Sequence, residues 1–256
     1  MITLTIDGKK VQAAEKATIM DVAKEEGIEI PTLCHNEDLE PYGVCRVCVV
    51  EVTRGQRKRV VASCTYPVEE GIVVNTKSER SLNVRRGVVE LFLARHPNVK
   101  VMQELAVRMG ITGPNPRFDL ENDYCILCGQ CVRTCREIVG ANAINFAERG
   151  TTRRVSSPFD ETALNCIACG SCVYICPTKI ITMKDVEDAG VVHPDGRDSL
   201  GPRRIVHNWK VNLPMEKCRV CKRPFTTKAK LQFMRTSAKD PLPYEELAIC
   251  PTCKKG

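Results

Sequence analysis

The sequence lacks any long apolar run. No uninterrupted apolar stretch approaches the roughly 20 residues that a membrane-spanning helix needs. The chain starts directly at Met1 with an alternating, strand-like segment, and not with the basic and then apolar stretch of a secretory signal. Both absences predict a soluble cytoplasmic protein without a membrane span, whose thiols remain reduced.

The sequence also has few of the features on which catalysis depends. It contains no G-x-G-x-x-G fingerprint and no phosphate-binding loop. Only four histidines are present, too few to suggest a catalytic metal site, and no Ser–His–acid order stands out. Nothing therefore predicts a bound flavin or nicotinamide, the cofactors that carry out hydride chemistry. We expect no catalytic residues in this chain.

Cysteine, by contrast, is abundant, with 16 among 256 residues. Two runs share the spacing C-x2-C-x2-C-x3-C and lie 41 residues apart. This spacing is typical of two 4Fe–4S clusters, in which the fourth cysteine of each run binds the other cluster. The first predicted ligand set is Cys125, Cys128, Cys131 and Cys176, and the second is Cys166, Cys169, Cys172 and Cys135.

Zinc and disulfides explain this pattern less well. Zinc sites usually consist of two C-x2-C pairs, and disulfides need an oxidising compartment. Gly129 and Gly170 follow the second cysteine of each run, where backbone would pass close to inorganic sulfur. The stretch resembles the two-cluster bacterial ferredoxin domain. It departs from that pattern at Arg136, which follows Cys135 in place of proline and would raise the cluster's potential.

The N-terminal segment carries four further cysteines. Alternating apolar residues and Asp7-Gly8 predict a hairpin, and Thr18 with Asp21 predicts a helix N-terminus with a capping box. The spacing C-x10-C-x2-C-x15-C on such a module favours a 2Fe–2S cluster, with zinc as the rival. The predicted ligands are Cys34, Cys45, Cys48 and Cys64.

The sequence motifs around these cysteines point to a particular domain family. I-P-T-L-C-H, G-V-C-R-V-C-V-V-E-V and A-S-C-T-Y-P-V resemble the β-grasp ferredoxin domain of the complex I 75-kDa subunit, the G subunit of NADH dehydrogenase. The same domain occurs in diaphorase subunits of bidirectional hydrogenases and in iron-only hydrogenases. Those families carry H-P-x-x-C-x-x-C-x5-C for a further cluster with one histidine ligand. Here Lys100 replaces the first of those cysteines, so we expect that cluster to be absent and His96 to be a packing or surface residue.

The tail contains two C-x2-C pairs separated by 28 residues. Such pairs suit a tetrahedral four-thiolate site, which either zinc or a single rubredoxin-like iron could occupy. In rubredoxin, glycine normally follows the second cysteine of each pair, whereas Lys222 and Lys254 occupy these positions here. This difference favours a structural zinc in a zinc-ribbon-like module. The predicted ligands are Cys218, Cys221, Cys250 and Cys253.

The predicted fold is α+β with several modules, because motif spacing divides the chain into short segments that each bury little apolar surface without a metal. Glycines and prolines, among them Gly190, Pro194 and Gly196, indicate a linker before the tail. The predicted ranges are a β-grasp 2Fe–2S domain at 1–76, a helical linker at 77–115, a two-cluster 4Fe–4S domain at 116–185, a linker at 186–212 and a zinc-ribbon-like module at 213–256.

The cysteines are all used by these sites, which leaves none as a nucleophile. We therefore expect an electron-transfer subunit of a cytoplasmic NAD(P)H-linked oxidoreductase complex. The resemblance implies three partners: a flavin-bearing NADH-oxidising subunit, a thioredoxin-like 2Fe–2S subunit, and a terminal subunit such as a hydrogenase, a formate dehydrogenase or an electron-bifurcating transhydrogenase. Soluble ferredoxin is a further candidate.

The competing hypothesis is a nucleic-acid-binding protein with a zinc ribbon and redox-sensing clusters. Its motivation is the basic tail, which has fourteen basic and eight acidic residues over 186–256. Base-stacking aromatics are not interleaved with these basic residues, which argues against the hypothesis. An iron-only hydrogenase is excluded because the cysteines of its catalytic domain are missing.

Overall fold

The computed structural model describes residues 1–187, 191–192, 198–199, 201–237, 240 and 242–255. The chain divides into two compact units, residues 1–130 and 131–256. Both units contain helices and strands, in agreement with a mixed α and β fold. The division falls inside the range 116–185, and the finer domain limits given above remain predictions.

The first unit is built on a five-stranded sheet with three main helices. The strands are β1 (Ile2–Ile6), β2 (Lys9–Ala13), β3 (Val49–Arg54), β4 (Arg57–Ala62) and β5 (Val73–Asn75). The helices are α1 (Ile19–Glu25), α2 (Glu79–Arg95) and α3 (Lys100–Arg108), and a short α4 (Gln130–Arg133) starts at the unit's last residue.

The order of this sheet is β2-β1-β5-β3-β4, with β1 and β5 parallel and the other pairs antiparallel. The predicted hairpin at Asp7-Gly8 is confirmed, since Ile6 pairs with Lys9 across it. Both turn residues have positive φ, 48° and 86°, which the two-residue turn requires. The alternation of β1 buries Leu4 and Ile6 against α1.

Helix α1 begins as predicted. The Thr18 hydroxyl accepts a hydrogen bond from the Asp21 N–H, and the Asp21 carboxylate accepts one from the Thr18 N–H. This reciprocal pair satisfies two backbone donors that the first turn would otherwise leave open. The helix buries Ile19 and Val22 in the core of the sheet, so the cysteine-bearing loops rest on a fixed scaffold.

Helices α2 and α3 occupy most of the region 77–115, and the chain breaks at His96-Pro97 between them. His96 is 1% exposed and stacks on Phe92 with ring centroids 6.0 Å apart. Its Nδ1 lies 2.8 Å from the carbonyl oxygen of Asp123. These contacts agree with the prediction that His96 packs in the fold.

The second unit contains short strands and helices. Its strands are β6 (Asn145–Ala147), β7 (Arg154–Ser156), β8 (Met183–Val186), β9 (Val191–Val192), β10 (Asp198–Ser199), β11 (Arg203–Val206), β12 (Val211–Lys217) and β13 (Pro224–Thr227). Its helices are α5 (Ser171–Ile175), α6 (Lys228–Ser237), α7 (Tyr244–Leu247) and α8 (Pro251–Lys254), and a π-helical turn covers Thr134–Ile138.

The main sheet of this unit has the antiparallel order β13-β12-β11-β8. A linker is predicted over 186–212, yet Arg203–Val206 and the start of β12 are paired strands of this sheet. The glycines and prolines that suggested the linker include Gly190, Pro194 and Gly196, which lie outside the described residues. The sheet therefore joins the cysteine-rich region to the tail.

The predicted zinc-ribbon form of the tail is not confirmed. The first cysteine pair follows β12, but the second lies at the start of a helix, with Cys250 as the N-cap of α8. Helices α6 and α7 separate the two pairs. Among the described residues, no helix combines the length and the apolar character needed to cross a membrane.

Candidate iron–sulfur and metal sites

The four N-terminal cysteines converge on one buried site in the first unit. The Sγ atoms of Cys48 and Cys64 lie 3.4 Å apart. The four form two hydrogen-bonded pairs, Cys34 with Cys45 and Cys48 with Cys64. These bonds lower the pKa of Cys45 to about 5 and that of Cys48 to about 6. The same bonds raise the pKa values of Cys34 and Cys64. The set could bind a cluster as four thiolates.

Loops at one end of the sheet supply these ligands. Cys34 follows α1, Cys45 and Cys48 precede β3, and Cys64 follows β4. Ser63 fixes two of the loops to each other, since its N–H and its hydroxyl both donate to the Cys48 carbonyl, at 3.2 and 2.8 Å. These two hydrogen bonds tie the Cys48 loop to the Cys64 loop.

Arg85, which lies behind this site, is a residue that the sequence analysis missed. Its side chain is 5% exposed, and its Nε and Nη2 donate to the carbonyl oxygen of Val49 at 2.9 and 2.6 Å. Burial lowers the pKa of Arg85, and the negative charges of Cys48 and Asp7 oppose that effect. A buried cation needs compensating negative charge, and the Cys48 thiolate supplies part of it.

The start of the first 4Fe–4S motif packs in the same core as this site. Ile126 and Cys128 share a buried cluster with Cys34 and Cys45. The buried Gln130 side chain donates from Nε2 to the carbonyl oxygens on either side of Cys34, those of Leu33 at 3.1 Å and of His35 at 3.3 Å. The start of the 4Fe–4S motif is thereby held to the Cys34 loop inside the first unit.

In the second unit, Cys135 lies with the cysteines of the later run. Cys135, Cys166, Cys169 and Cys172 line one apolar cavity. These are the four cysteines predicted for the second cluster. Backbone N–H groups already point at two of the sulfurs, from Ala143 to Cys135 at 3.3 Å and from Ala168 to Cys166 at 3.4 Å. N–H···S contacts of this kind stabilise cluster thiolates.

The ligands predicted for the first 4Fe–4S cluster are divided between the units. Cys125 and Cys128 belong to the first unit, while Cys131 and Cys176 are buried in the second. Burial alone would raise the pKa of Cys176, but hydrogen bonds from the Thr178 hydroxyl and from backbone N–H groups lower it. This ligand set remains a prediction from the cysteine spacing.

The two motifs repeat an unusual backbone conformation. Leu127 and Ala168, the residues before the second cysteines, both have φ of 50°. Gly129 and Gly170, the residues after them, have φ of 72° and 83°. A left-handed residue other than glycine is uncommon, and its recurrence in both loops indicates a shared function. Left-handed residues of this kind can form a concave arrangement of backbone N–H groups that suits an anion, and in the later loop the Ala168 N–H donates to Cys166 Sγ.

Trp209 is a second residue whose role the sequence did not reveal. It is 4% exposed and lines the cavity of the second cysteine set. Burial raises the pKa of Cys172 to about 11, and the indole N–H of Trp209 opposes this rise. The Nε1–H nevertheless has no hydrogen-bond partner of good geometry among the described residues. The only feature of the sequence that could have drawn attention to Trp209 is that the chain contains a single tryptophan.

The tail cysteines form a compact site. The Sγ atoms of Cys218, Cys221, Cys250 and Cys253 all lie within 4.8 Å of one another. The Cys250 N–H donates to Cys218 Sγ at 3.3 Å and lowers the pKa of Cys218 to about 6. The Arg223 N–H likewise lowers the pKa of Cys221. Thiolates at this spacing fit a single tetrahedral metal ion.

Comparisons with known families agree with the two cluster regions. Residues 1–79 match the 2Fe-2S iron-sulfur cluster binding domain, and residues 124–180 match the 4Fe-4S dicluster domain. Among curated proteins, the NADPH-Fe(3+) oxidoreductase subunit alpha of Geobacter sulfurreducens is 35% identical over 213 residues, 74% of this chain and 25% of its own. The NADP-reducing hydrogenase subunit HndD of Solidesulfovibrio fructosivorans is 36% identical over 70% of this chain and 35% of its own.

Complex I proteins also match. The NADH-ubiquinone oxidoreductase 78 kDa subunit of Candida albicans is 30% identical over 72% of this chain and 28% of its own. Among solved structures, an NAD+-reducing NiFe-hydrogenase superposes with a TM-score of 0.54 and 30% identity, covering 61% of this chain and 74% of that chain. The chain spans only a quarter to about a third of the length of these curated relatives.

These findings define an iron–sulfur protein that combines a 2Fe–2S domain with a 4Fe–4S dicluster domain. More particularly, the chain belongs with the iron–sulfur subunits of NADH dehydrogenases and of NAD(P)-linked hydrogenases, as its motifs predicted. The nucleic-acid-binding alternative finds no support among these relatives.

Proposed function

We propose that this chain is the electron-relaying subunit of a cytoplasmic NAD(P)H-linked oxidoreductase complex. The observation that carries the proposal is the convergence of separate cysteine sets in the parts of the chain that match cluster-binding domains. The clusters would supply one-electron transfer, which the protein's side chains cannot perform. The residues of the chain bind the clusters, exclude water from them and fix their surroundings.

The proposed cofactors are one 2Fe–2S cluster, two 4Fe–4S clusters and one zinc ion. The N-terminal set fits the first of these because its four sulfurs are buried and paired. The second 4Fe–4S site fits because its cavity is apolar and its sulfurs meet backbone N–H groups. The other 4Fe–4S cluster would take Cys125, Cys128, Cys131 and Cys176 by the spacing rule alone.

Zinc is favoured in the tail because the site resembles a structural one. Cys218 and Cys250 are buried, and all four positions around the metal would be filled by thiolates. Lys222 with φ of 61° takes the left-handed position that glycine holds in rubredoxin pairs. The metal would tie the β12–β13 hairpin to α8 and supply folding free energy to the tail.

The partners follow from the relatives. The names of these relatives include NADPH, NADP and NADH oxidoreductases and a hydrogenase. We infer a flavin-bearing NAD(P)H-oxidising subunit on one side and a terminal catalytic subunit on the other, with a thioredoxin-like 2Fe–2S subunit or soluble ferredoxin as further partners. The loss of the histidine-ligated cluster at Lys100 and the added tail favour a hydrogenase-linked or electron-bifurcating complex over respiratory complex I.

Affinity purification of the native protein under anaerobic conditions tests this proposal. We expect a flavoprotein subunit to co-purify in stoichiometric amount, and the purified complex to reduce the chain's clusters with NADH or NADPH. Recovery of the chain alone at every ionic strength, or in company with nucleic acid in place of a flavoprotein, would contradict the proposal.

A further inference from the structure

We propose that Trp209, supplied by the C-terminal sheet, is a hydrogen-bond donor to sulfur at the second 4Fe–4S cluster and sets that cluster's reduction potential. This inference rests on the proposed function, since it requires a cluster on Cys135, Cys166, Cys169 and Cys172. If it is correct, the C-terminal sheet that follows the ferredoxin motif tunes electron transfer, and its role is not limited to assembly of the complex.

The fold fixes Trp209 from both sides. It ends a short 3-10 turn, His207–Trp209, between strands β11 and β12. Its carbonyl accepts a hydrogen bond from the Ala163 N–H at 3.2 Å, just before the second cysteine run. Lys210 follows with φ of 52°, which turns the chain sharply into β12. The backbone of Trp209 is therefore held in place beside the cavity that its side chain lines.

The indole N–H needs an acceptor. A buried N–H without a partner loses its hydrogen bond to water and gains nothing in return, so native proteins rarely retain one. Trp209 Nε1 makes no hydrogen bond of good geometry among the described residues, and it lies near Cys172 in the wall of a cavity that four cysteines also line. A cysteine thiolate or an inorganic sulfide in that cavity would accept the hydrogen bond. A cluster bound there would therefore give the Trp209 N–H its acceptor.

Two further contacts hold the C-terminal sheet on the cluster loop. The Thr227 hydroxyl, at the end of β13, donates to the carbonyl of Ile167 at 2.6 Å. Arg204, on β11, reaches the Ala168 carbonyl at 3.5 Å while it pairs with Asp185 at 2.6 and 2.8 Å. Both accepting carbonyls lie between Cys166 and Cys169. The sheet thus fixes the distance between Trp209 and the loop that carries Cys166 and Cys169.

The expected consequence is a raised potential. A hydrogen bond to a cluster sulfur withdraws negative charge and favours the reduced state. Trp209→Phe keeps an aromatic ring but removes the donor. We expect the ratio of reduced to oxidised second cluster at a fixed potential to fall about tenfold, which is a shift of about 59 mV to more negative potential for one electron. The other two clusters should not shift.

The test is an EPR-monitored redox titration of the iron-loaded full chain. The signal of the second cluster is identified as the one that Cys166→Ser alters. A sharper variant replaces Trp209 by an analogue that carries benzothiophene in place of indole, which keeps both fused rings and lacks the N–H. Val206→Ala is the matched packing control, because Val206 lines the same cavity and is 1% exposed but donates no side-chain hydrogen bond.

The outcomes separate the two proposals. A negative shift with both Trp209 variants and a smaller one with Val206→Ala supports the inference. An unchanged potential in the benzothiophene variant, or an equal shift in Val206→Ala, overturns it while leaving the electron-relay function intact. If Cys166→Ser altered no 4Fe–4S signal relative to the wild-type chain, the second cluster would be absent, and the proposed function would fail with it.

Discussion

Gln130 donates a hydrogen bond from Nε2 to the carbonyl oxygen of Leu33, 3.1 Å away, although the two residues are separated by 97 positions in the chain. Leu33 precedes a predicted 2Fe–2S ligand, and Gln130 lies between two predicted 4Fe–4S ligands. The same amide also reaches the carbonyl of His35. A single buried side chain thus clamps the loop of one cluster site to the motif of the next.

We predict that Gln130→Leu slows electron transfer between the 2Fe–2S cluster and the first 4Fe–4S cluster. The substitution conserves volume but leaves two carbonyls without their donor, which should cost about 1–3 kcal/mol of unfolding free energy. Freeze-quench EPR after rapid reduction would measure the transfer. Gln103→Leu is the matched control, since the exposed Gln103 donates to the Pro97 carbonyl at 2.8 Å. Equal rates in both variants would contradict the role given to Gln130.

Arg85 provides a prediction on the potential of the 2Fe–2S cluster. Its buried guanidinium lies near Cys48 and stabilises added negative charge. Arg85→Met should therefore shift the 2Fe–2S potential to more negative values, whereas Arg85→Lys should retain most of the charge effect but lose the two-point contact with Val49. Redox titration of the 2Fe–2S EPR signal measures the shift.

The control for this prediction is Arg86→Met, because Arg86 is exposed and only approaches the Met109 carbonyl at 3.4 Å. Solvent screens an exposed charge, so this variant should leave the potential nearly unchanged. If Arg86→Met shifted the potential as far as Arg85→Met, the effect would come from overall charge and not from the buried site.

Much of this architecture could be predicted from the sequence because metal ligands and turn residues act locally. The capping box at Thr18, the Asp7-Gly8 turn and the spacing of the cysteines each depend on a few neighbouring residues. The spacing also predicted that Cys135 would accompany the later run, and the cavity brings these residues together.

The residues that the sequence did not reveal act across long distances. Arg85 occupies a buried position on α2, while the apolar Leu82 of the same helix is 46% exposed. Charged residues are rarely buried, so periodicity alone assigns Arg85 to solvent. Trp209 and Thr227 reach the second cysteine set through strand pairing, which short motifs do not encode.

The tail metal leads to a prediction on assembly. Cys218→Ser should remove about one metal equivalent and destabilise the β12–β13 hairpin and α8, since the metal supplies their folding free energy. The iron content should remain. The basic tail is suited to an acidic partner, so the variant should dissociate from its complex more readily as salt increases. A variant that stays assembled while electron flow stops would make the tail site a redox centre.

Metal content provides a further prediction. Ligands for one 2Fe–2S and two 4Fe–4S clusters correspond to about 10 Fe, together with about 1 Zn, per anaerobically purified chain. About 14 Fe would mean that a third 4Fe–4S cluster exists despite Lys100. About 11 Fe without zinc would show a rubredoxin-like iron in the tail.

The sequence predicts no hydride-accepting cofactor in this chain, so we expect an electron relay of this kind to depend on a flavoprotein for reduction by nicotinamide nucleotides. The most direct measurement mixes the isolated, iron-loaded chain anaerobically with dithionite or with NADH or NADPH, and follows its EPR signals. We predict reduction of all three clusters by dithionite and none by the nucleotides until a flavoprotein partner is added. Rapid reduction by NADH or NADPH alone would contradict the relay function.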